Sequence, residues 1–216
     1  DGKQIAWFSD KDEKGYALYV TDQEGSKTPK KISIGESKLA WEPVWSPDGK
    51  YIAYADNAVR VKVLEISTGN ISNVDIGGTN LDRGFMGFNW SPDSKWLAYS
   101  KSLSNNFRGI MIWNTDTKKV TALSNPMADA VSPVWDLNGR YLYFLASTDV
   151  ALGSGWANTS SQQAHPTFGM YITLLRNDEP NPLTLLYLNT LKLLNYVPYE
   201  ILFDNIMAGP HFPWHF

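Results

Sequence analysis

The sequence is constrained most strongly by a string of ten residues that returns at a fixed interval. The string occupies residues 45–54 (WSPDGKYIAY), returns at residues 90–99 (WSPDSKWLAY), and recurs in altered form at residues 135–144 (WDLNGRYLYF). Its first residues, Trp45, Trp90 and Trp135, follow one another at intervals of 45 residues, and a clipped copy at residues 1–7 (DGKQIAW) opens the sequence. A period in the 40s made of short strands is typical of β-propeller blades.

Runs of aromatic and β-branched residues between turn residues predict the strands of each unit. The second unit is predicted to contain four strands, at 42–45, 50–55, 59–66 and 70–76. The third unit repeats this plan at 85–90, 95–101, 109–114 and 118–123. The first unit has only three predicted strands, at 4–8, 16–21 and 31–34, and therefore lacks an innermost strand.

The repeat predicts an all-β fold made of four-stranded antiparallel β-propeller blades. About three and a half blades are present, which is too few for a ring of about four to eight blades, so the propeller is expected to be incomplete. The propeller is predicted to span residues 1–189, and residues 190–216 form an unassigned hydrophobic tail. The predicted blade bounds are about 1–36, 41–79, 85–125 and 131–189.

The three repeated tryptophans are predicted to fill the wedge between neighbouring blades. Burying one indole removes about 150–250 Å² from water, which makes a structural role the simplest explanation for their spacing. The alternating residues Ile52, Leu97 and Leu142 are predicted to point inward with them. Ser94 stands where Gly49 stands in the preceding copy, so that turn is expected to carry strain or to adopt type I geometry.

The chain resembles the tricorn protease family, and specifically its second, seven-bladed propeller. The resemblance covers about residues 1–182 and rests on the Trp-Ser-Pro-Asp copies, on Phe88-Asn89-Trp90, and on the exit segments 171–176 (YITLLR) and 180–182 (PNP). It implies a propeller that serves as scaffold and substrate-access module for oligopeptide hydrolysis in a cytoplasmic serine peptidase. The catalytic domains of that family lie downstream and are absent here, so no catalytic residue is carried over.

An alternative remains open, because TolB-like propellers share the Trp-Ser-Pro-Asp-Gly repeat. A TolB-like chain would be a non-enzymatic, periplasmic protein-interaction propeller. The encoded sequence downstream distinguishes the two: a PDZ module and a serine-peptidase domain favour the first, and a stop codon favours the second.

Composition narrows the classes of partner. A formal net charge of −3 gives no general attraction to nucleic acid or to anionic lipid, and no apolar run is long enough to cross a bilayer. The chain has no cysteine, so neither a disulfide framework nor thiolate chemistry is expected. No cofactor is expected, and the partners expected are peptide substrate in the parent enzyme and a further copy of the chain associating through open blade edges.

Sites of catalysis and metal binding are not predicted. His165 lies near Ser160 and Ser161 but no Gly-x-Ser-x-Gly elbow occurs, and Pro213 between His211 and His215 argues against a helical metal pair. The long polar insertion at 147–168 is the one candidate site. Loops of this length are usually either functional or disordered, and if this one is functional, Trp156 and His165 are its candidate substrate-access contacts.

Overall fold

The computed structural model describes residues 2–11, 15–148, 167–176 and 181. Within these residues the chain forms fourteen β-strands and one turn of 3₁₀ helix at Asn80–Asp82. The strands are β1 (Gln4–Ser9), β2 (Ala17–Asp22), β3 (Lys30–Ser33), β4 (Ala40–Trp45), β5 (Tyr51–Asp56), β6 (Arg60–Glu65), β7 (Ile71–Ile76), β8 (Asn89–Trp90), β9 (Trp96–Ser102), β10 (Arg108–Asn114), β11 (Val120–Ala122), β12 (Asp129–Trp135), β13 (Tyr141–Ser147) and β14 (Gly169–Leu174).

The strands form four antiparallel sheets in which each strand pairs with its neighbour along the chain. The first sheet has the order β1-β2-β3, the second β4-β5-β6-β7, the third β8-β9-β10-β11 and the fourth β12-β13-β14. Four short meandering sheets are the arrangement of propeller blades, so the predicted fold class, an incomplete β-propeller, is confirmed.

The sheets bury their apolar residues against one another in three layers. One layer joins the first and second sheets through residues such as Leu18 and Ile52, and the next two layers join the second to the third and the third to the fourth. Ile52, Leu97 and Leu142 are completely buried, as predicted. Trp90 and Trp135 are buried in these layers, whereas Trp45 is only half-buried against the first.

The third sheet departs from the sequence prediction at its innermost strand. The prediction was residues 85–90, but β8 contains only Asn89 and Trp90. The residues before it continue the turn at Asn80–Asp82, where the Phe85 amide donates to the Asp82 carbonyl at 3.2 Å, so Phe85 cannot begin an extended strand. A hydrogen bond of 2.8 Å from the Ser100 amide to the Met86 carbonyl still joins this segment to β9, although it is not part of β8.

The segment between the second and third sheets was also missed by the sequence patterns. Its 3₁₀ turn is held by the Asp82 carboxylate, which accepts hydrogen bonds from the Ser102 hydroxyl at 2.7 Å and from the Gly78 amide at 2.8 Å. A Cβ atom at Gly78 would lie 2.2 Å from the Ser102 carbonyl oxygen, so only glycine fits there.

Two parts of the predicted organisation lie outside the described residues: the end of the last blade at 182–189 and the tail at 190–216. The blade boundaries therefore stay a prediction. The described part of the chain contains no helix with the length and apolar character of a membrane span.

Candidate functional site

The repeated turn is closed by its serine side chain. The Ser46 hydroxyl accepts a hydrogen bond from the Tyr51 amide at 2.9 Å and donates one to Asp48 Oδ1 at 2.7 Å. In the next copy, the Ser91 hydroxyl makes the same two bonds, with the Trp96 amide and with Asp93. The Ser-Pro-Asp motif is therefore occupied by its own turn and is not available for nucleophilic chemistry.

The third copy of the turn replaces the serine by Asp136. Its carboxylate accepts hydrogen bonds from the Arg140 amide at 2.6 Å and from the Tyr141 amide at 2.9 Å. One carboxylate thus replaces the Ser and Asp pair of the other copies. Leu137, which takes the proline position, is 94% exposed.

The repeated tryptophans connect the sheets through their indole nitrogens. Trp90 Nε1 donates to the carbonyl oxygen of Val44 at 3.2 Å, and Trp135 Nε1 donates to that of Asn89 at the same distance. In both cases the acceptor is the residue immediately before the tryptophan of the preceding sheet. The tryptophans therefore fix the relative position of successive innermost strands as well as filling space.

The turn tips also contact one another. Ser94 has φ of 61°, so the predicted strain is present, and its hydroxyl accepts a hydrogen bond of 3.0 Å from the Asp48 amide in the preceding turn. Gly139 occupies the same position in the following copy, where an added Cβ would lie 3.5 Å from Pro92 Cδ. Each tip is therefore stacked on the tip before it.

A backbone kink three residues before each repeated tryptophan was not anticipated from the sequence. Glu42, Gly87 and Ser132 have φ values of 53°, 61° and 55°. The proline that follows the first and third of them is the signal that could have indicated an irregular strand. The Glu42 carboxylate accepts a hydrogen bond from the Met86 amide at 3.2 Å, and burial raises the pKa of this carboxyl above its usual value.

Charged side chains join the sheets at the rim where β5 leads to β6, β9 to β10 and β13 to β14, here called the insertion rim. Between the third and fourth sheets, Arg108 binds the fully buried Asp129 through two side-chain contacts of 2.9 Å and 2.6 Å. Between the second and third sheets, Asp75 accepts hydrogen bonds from the Tyr99 hydroxyl at 2.7 Å and from Lys101 at 2.8 Å.

A third charged cluster joins the second sheet to the segment that leads into it from β3, and it is centred on Asp56, which is fully buried. Its carboxylate binds Arg60 and accepts a hydrogen bond from Ser37 at 2.9 Å, while Lys62 lies 3.4 Å away. Burial by itself would raise the pKa of Asp56, but the hydrogen bonds from Arg60 and Ser37 outweigh it and hold the pKa below its usual value. These groups are mutually satisfied, which indicates structural roles.

The insertion predicted as a candidate site leaves the fold at the insertion rim. β13 ends at Ser147, and β14 begins at Gly169, which pairs with Ala146 in the same sheet. Trp156 and His165 themselves lie outside the described residues, as do Ser160 and Ser161. The structure therefore places the two ends of the segment, and the roles of Trp156 and His165 stay predictions.

Metal-binding and catalytic groupings can be assessed only for the described ranges. In those ranges, no three His, Cys, Asp or Glu side chains converge in a way that could hold a metal ion. All three histidines of the chain, at 165, 211 and 215, fall outside them. The described residues thus contain no imidazole that could serve as the base of a catalytic triad.

The first and fourth sheets each have one outer face that no neighbouring described sheet covers, and these faces expose apolar side chains whose counterparts in the other sheets are buried. Ile5 in the first sheet is 49% exposed, whereas its counterparts in the other three sheets are completely buried. Met170 in the fourth sheet is 77% exposed, whereas Val61 and Ile110, at the matching register, are completely buried. Each outer face therefore exposes, at one compared position, an apolar residue of the kind that is buried between internal blades.

Comparison with known proteins identifies close similarity to one family. A family model described as the tricorn protease second beta propeller domain matches residues 1–185. The chain is also 33% identical over 130 residues to a tricorn protease homolog from Saccharolobus solfataricus, a match that covers 60% of this chain and 12% of the relative. The chain thus spans about one eighth of the length of that relative.

Solved structures show the same fold. The chain superimposes on the crystal structure of the tricorn protease with a TM-score of 0.66 and 16% sequence identity, covering 85% of this chain and 18% of that one. It superimposes on TolB from Acinetobacter baumannii with a TM-score of 0.52 and 19% identity, covering 82% of this chain and 40% of that one. At these identities the two likenesses establish the architecture alone.

Proposed function

Because the chain belongs to the family of the tricorn protease second β-propeller domain, we propose that it is the scaffold and substrate-access module of a serine-type peptidase acting on oligopeptides. The match over residues 1–185 is the observation that carries this proposal. The satisfied hydrogen bonds of the repeated turns and of the insertion rim support a scaffold role, because a rigid module needs side chains held by one another.

The chemistry belongs, in this proposal, to catalytic domains elsewhere in the parent protein. The parent is a cytoplasmic hydrolase, and the 216-residue chain alone has no peptidase activity. The test is to incubate the purified chain with fluorogenic peptides of several lengths. Turnover of the peptides that survives repurification and serine-directed inhibition controls would contradict the assignment. A separate expectation is that the DNA flanking this segment encodes a PDZ module and a serine-peptidase domain.

Substrate access is assigned to the insertion at 147–168, with Trp156 and His165 as its peptide contacts. The position of its two ends at the insertion rim supports this, since several connections between strands converge on that rim. Weak peptide binding to the full chain, followed by the chemical shifts of ¹⁵N-labelled protein, should be lost in Trp156→Ala and reduced in His165→Ala. Leu137→Ala is the matched control, because Leu137 is exposed on a turn at the opposite rim.

A second function is favoured by one observation, the likeness to TolB over 82% of this chain. In that case the chain would be a periplasmic, non-enzymatic module that binds proteins. A stop codon directly downstream, together with a secretion signal encoded upstream, would support this function and contradict the peptidase assignment.

Self-association is the third element of the proposal. Ile5 and Met170 are exposed at positions that are buried between internal blades, and open strand edges favour pairing with further strands. We expect the chain to form oligomers, or its own tail to cover an edge. Sedimentation analysis over a range of concentrations tests this, with Met170→Lys as a variant that should weaken the association.

A further inference from the structure

One buried hydroxyl, that of Tyr54, has no hydrogen-bond partner among the described residues. Tyr54 is completely buried between the first and second sheets, where its ring lies 5.4 Å from that of Phe8, measured between ring centroids. A buried hydroxyl without a partner is costly, and most buried polar side-chain atoms in folded proteins are bonded either to protein or to ordered water. The Tyr54 hydroxyl therefore needs a partner that the described protein groups do not supply.

The repeat shows why this hydroxyl differs from its counterparts. Tyr99 holds the same position in the third sheet and donates to Asp75, on the outer strand β7 of the preceding sheet, at 2.7 Å. In the register of the sheets, the counterpart of Asp75 on β3 is Ile32, which is apolar and buried. β3 thus presents an aliphatic side chain where β7 presents a carboxylate. The fourth sheet has Phe144 at the tyrosine position and needs no acceptor.

Lys62 is the second unusual group at this place. It pairs with Tyr54 across β5 and β6, so the two side chains lie on the same face of the sheet. The same position holds Met111 in the third sheet and Tyr171 in the fourth. Lys62 is nevertheless only 2% exposed. The second sheet therefore carries a buried hydroxyl and a buried ammonium group side by side.

The polar groups near the Tyr54 hydroxyl have hydrogen-bonding capacity beyond their mutual contacts. A protonated lysine has three N–H donors, and Lys62 has two partners, Ser37 at 3.0 Å and Asp56 at 3.4 Å. The Ser37 hydroxyl donates to Asp56 at 2.9 Å and accepts from Lys62, so one of its two lone pairs is left. Burial and the Asp56 carboxylate raise the pKa of Tyr54 above its usual value, and the Ser37 side chain acts in the opposite direction. Both side chains therefore lie near the hydroxyl.

The charges around the hydroxyl favour a neutral ligand. Asp56 and Lys62 are both buried, and their charges compensate each other. Arg60 binds Asp56 and also contacts Glu36, whose side chain is 71% exposed. An added anion would meet the Asp56 carboxylate, and an added cation would meet the Lys62 ammonium group. Water is neutral, both donates and accepts, and makes about three hydrogen bonds where it is buried among polar groups.

We propose that the second sheet binds one internal water molecule at its boundary with the first sheet. The water accepts a hydrogen bond from Lys62 Nζ and bonds to the hydroxyl groups of Tyr54 and Ser37. It takes the place of the carboxylate that Asp75 supplies to Tyr99 one repeat later. The site goes beyond the proposed peptidase role and does not depend on it.

The experiment measures long-lived internal water in the full chain by magnetic relaxation dispersion of the water ¹⁷O nucleus. We expect Tyr54→Phe to lose one such water relative to the natural chain. Tyr99→Phe is the matched control and should leave the number unchanged, because the Tyr99 hydroxyl is already bonded to Asp75. Lys62→Met, which introduces the residue that the third sheet has at this position, should lose the same water. The variant that combines Tyr54→Phe with Lys62→Met should lose no more.

A crystal structure of the natural chain is the second measurement. It should show a water oxygen within hydrogen-bonding distance of both the Tyr54 hydroxyl and Lys62 Nζ. Circular dichroism reports whether each variant is folded, and the crystal structure provides the test if a variant is not.

An unchanged dispersion in Tyr54→Phe, or an equal loss in Tyr99→Phe, would overturn the proposal. A direct hydrogen bond between the hydroxyl groups of Tyr54 and Ser37 in the crystal would do the same. Bromide located at the site by its anomalous scattering would also overturn it, because the ligand would then be an anion. Each of these outcomes leaves the proposed peptidase role as it stands, since none of the measurements involves peptide.

Discussion

The indole nitrogen of Trp90 lies 3.2 Å from the carbonyl oxygen of Val44, across the boundary between two sheets. The same bond joins Trp135 to Asn89 one repeat later, so a residue chosen for its bulk also sets the spacing of the blades. Trp90 is 6% exposed, and water therefore cannot easily replace either partner.

Replacing Trp90 by Phe should test the bond separately from the packing. The variant keeps an aromatic ring but leaves the Val44 carbonyl without its donor, so the free energy of unfolding should fall by about 1–3 kcal/mol. Urea denaturation followed by circular dichroism measures this change in the free energy of unfolding. Trp45→Phe is the matched control and should cost less than Trp90→Phe, since its indole has no acceptor in the described part of the chain. Equal losses would show that packing alone explains the tryptophans.

The ion pair between Arg108 and Asp129 should contribute more than any exposed pair of the chain. Asp129→Asn removes the charge from a fully buried position that Arg108 contacts twice, and should lower the free energy of unfolding by about 2–3 kcal/mol. Lys50→Met breaks the exposed contact with Asp48 and should cost no more than about 1 kcal/mol. Chemical denaturation of both variants checks this order, and a reversed order would refute it.

Ser94 allows the strain of the second turn to be separated from its hydrogen bond. Ser94→Gly and Ser94→Ala both lose the bond from the Asp48 amide, but only alanine retains a Cβ at φ of 61°. We expect the alanine variant to be less stable than the glycine variant by about 1–2 kcal/mol, the cost of a left-handed conformation. Thermal unfolding of the two proteins in parallel gives the difference. Equal midpoints would mean that the turn relaxes in the variants.

Glu42 should make the stability of the chain depend on pH. Its pKa is raised by burial, against the opposing effect of the Met86 and Gly87 amides, so the folded chain binds this proton more tightly than the unfolded chain. Its stabilising effect is therefore complete below the unfolded pKa of about 4.3 and is lost as the pH rises through the higher folded pKa.

Glu42→Gln removes that titration. The stability of this variant relative to the natural chain should increase between pH 4 and pH 7, as measured by urea denaturation at several pH values. Glu42→Ala, which also removes the acceptor for Met86, serves as the control and should be less stable than Glu42→Gln throughout. A difference between Glu42→Gln and the natural chain that does not change with pH would contradict the role of burial.

Much of the fold could be predicted because the strands are encoded locally. The alternation within residues 50–55 and the turn at 46–49 specify a strand and its entry without reference to the rest of the chain, and the structure forms β5 at Tyr51–Asp56. The short β8 was not predicted, because the turn that runs from Asn80 to Phe85 is held by hydrogen bonds that apolar periodicity does not report. The candidate residues Trp156 and His165 stay predictions, since both lie outside the described ranges.

By itself the sequence determined the repeat, the strand order and the family, because a period of 45 residues and its turn chemistry are properties of neighbouring residues. Only the tertiary structure decided which side chains meet between sheets, such as Tyr99 with Asp75 and Arg108 with Asp129. Those contacts join residues more than 20 positions apart, and they depend on the angle and spacing at which whole sheets pack.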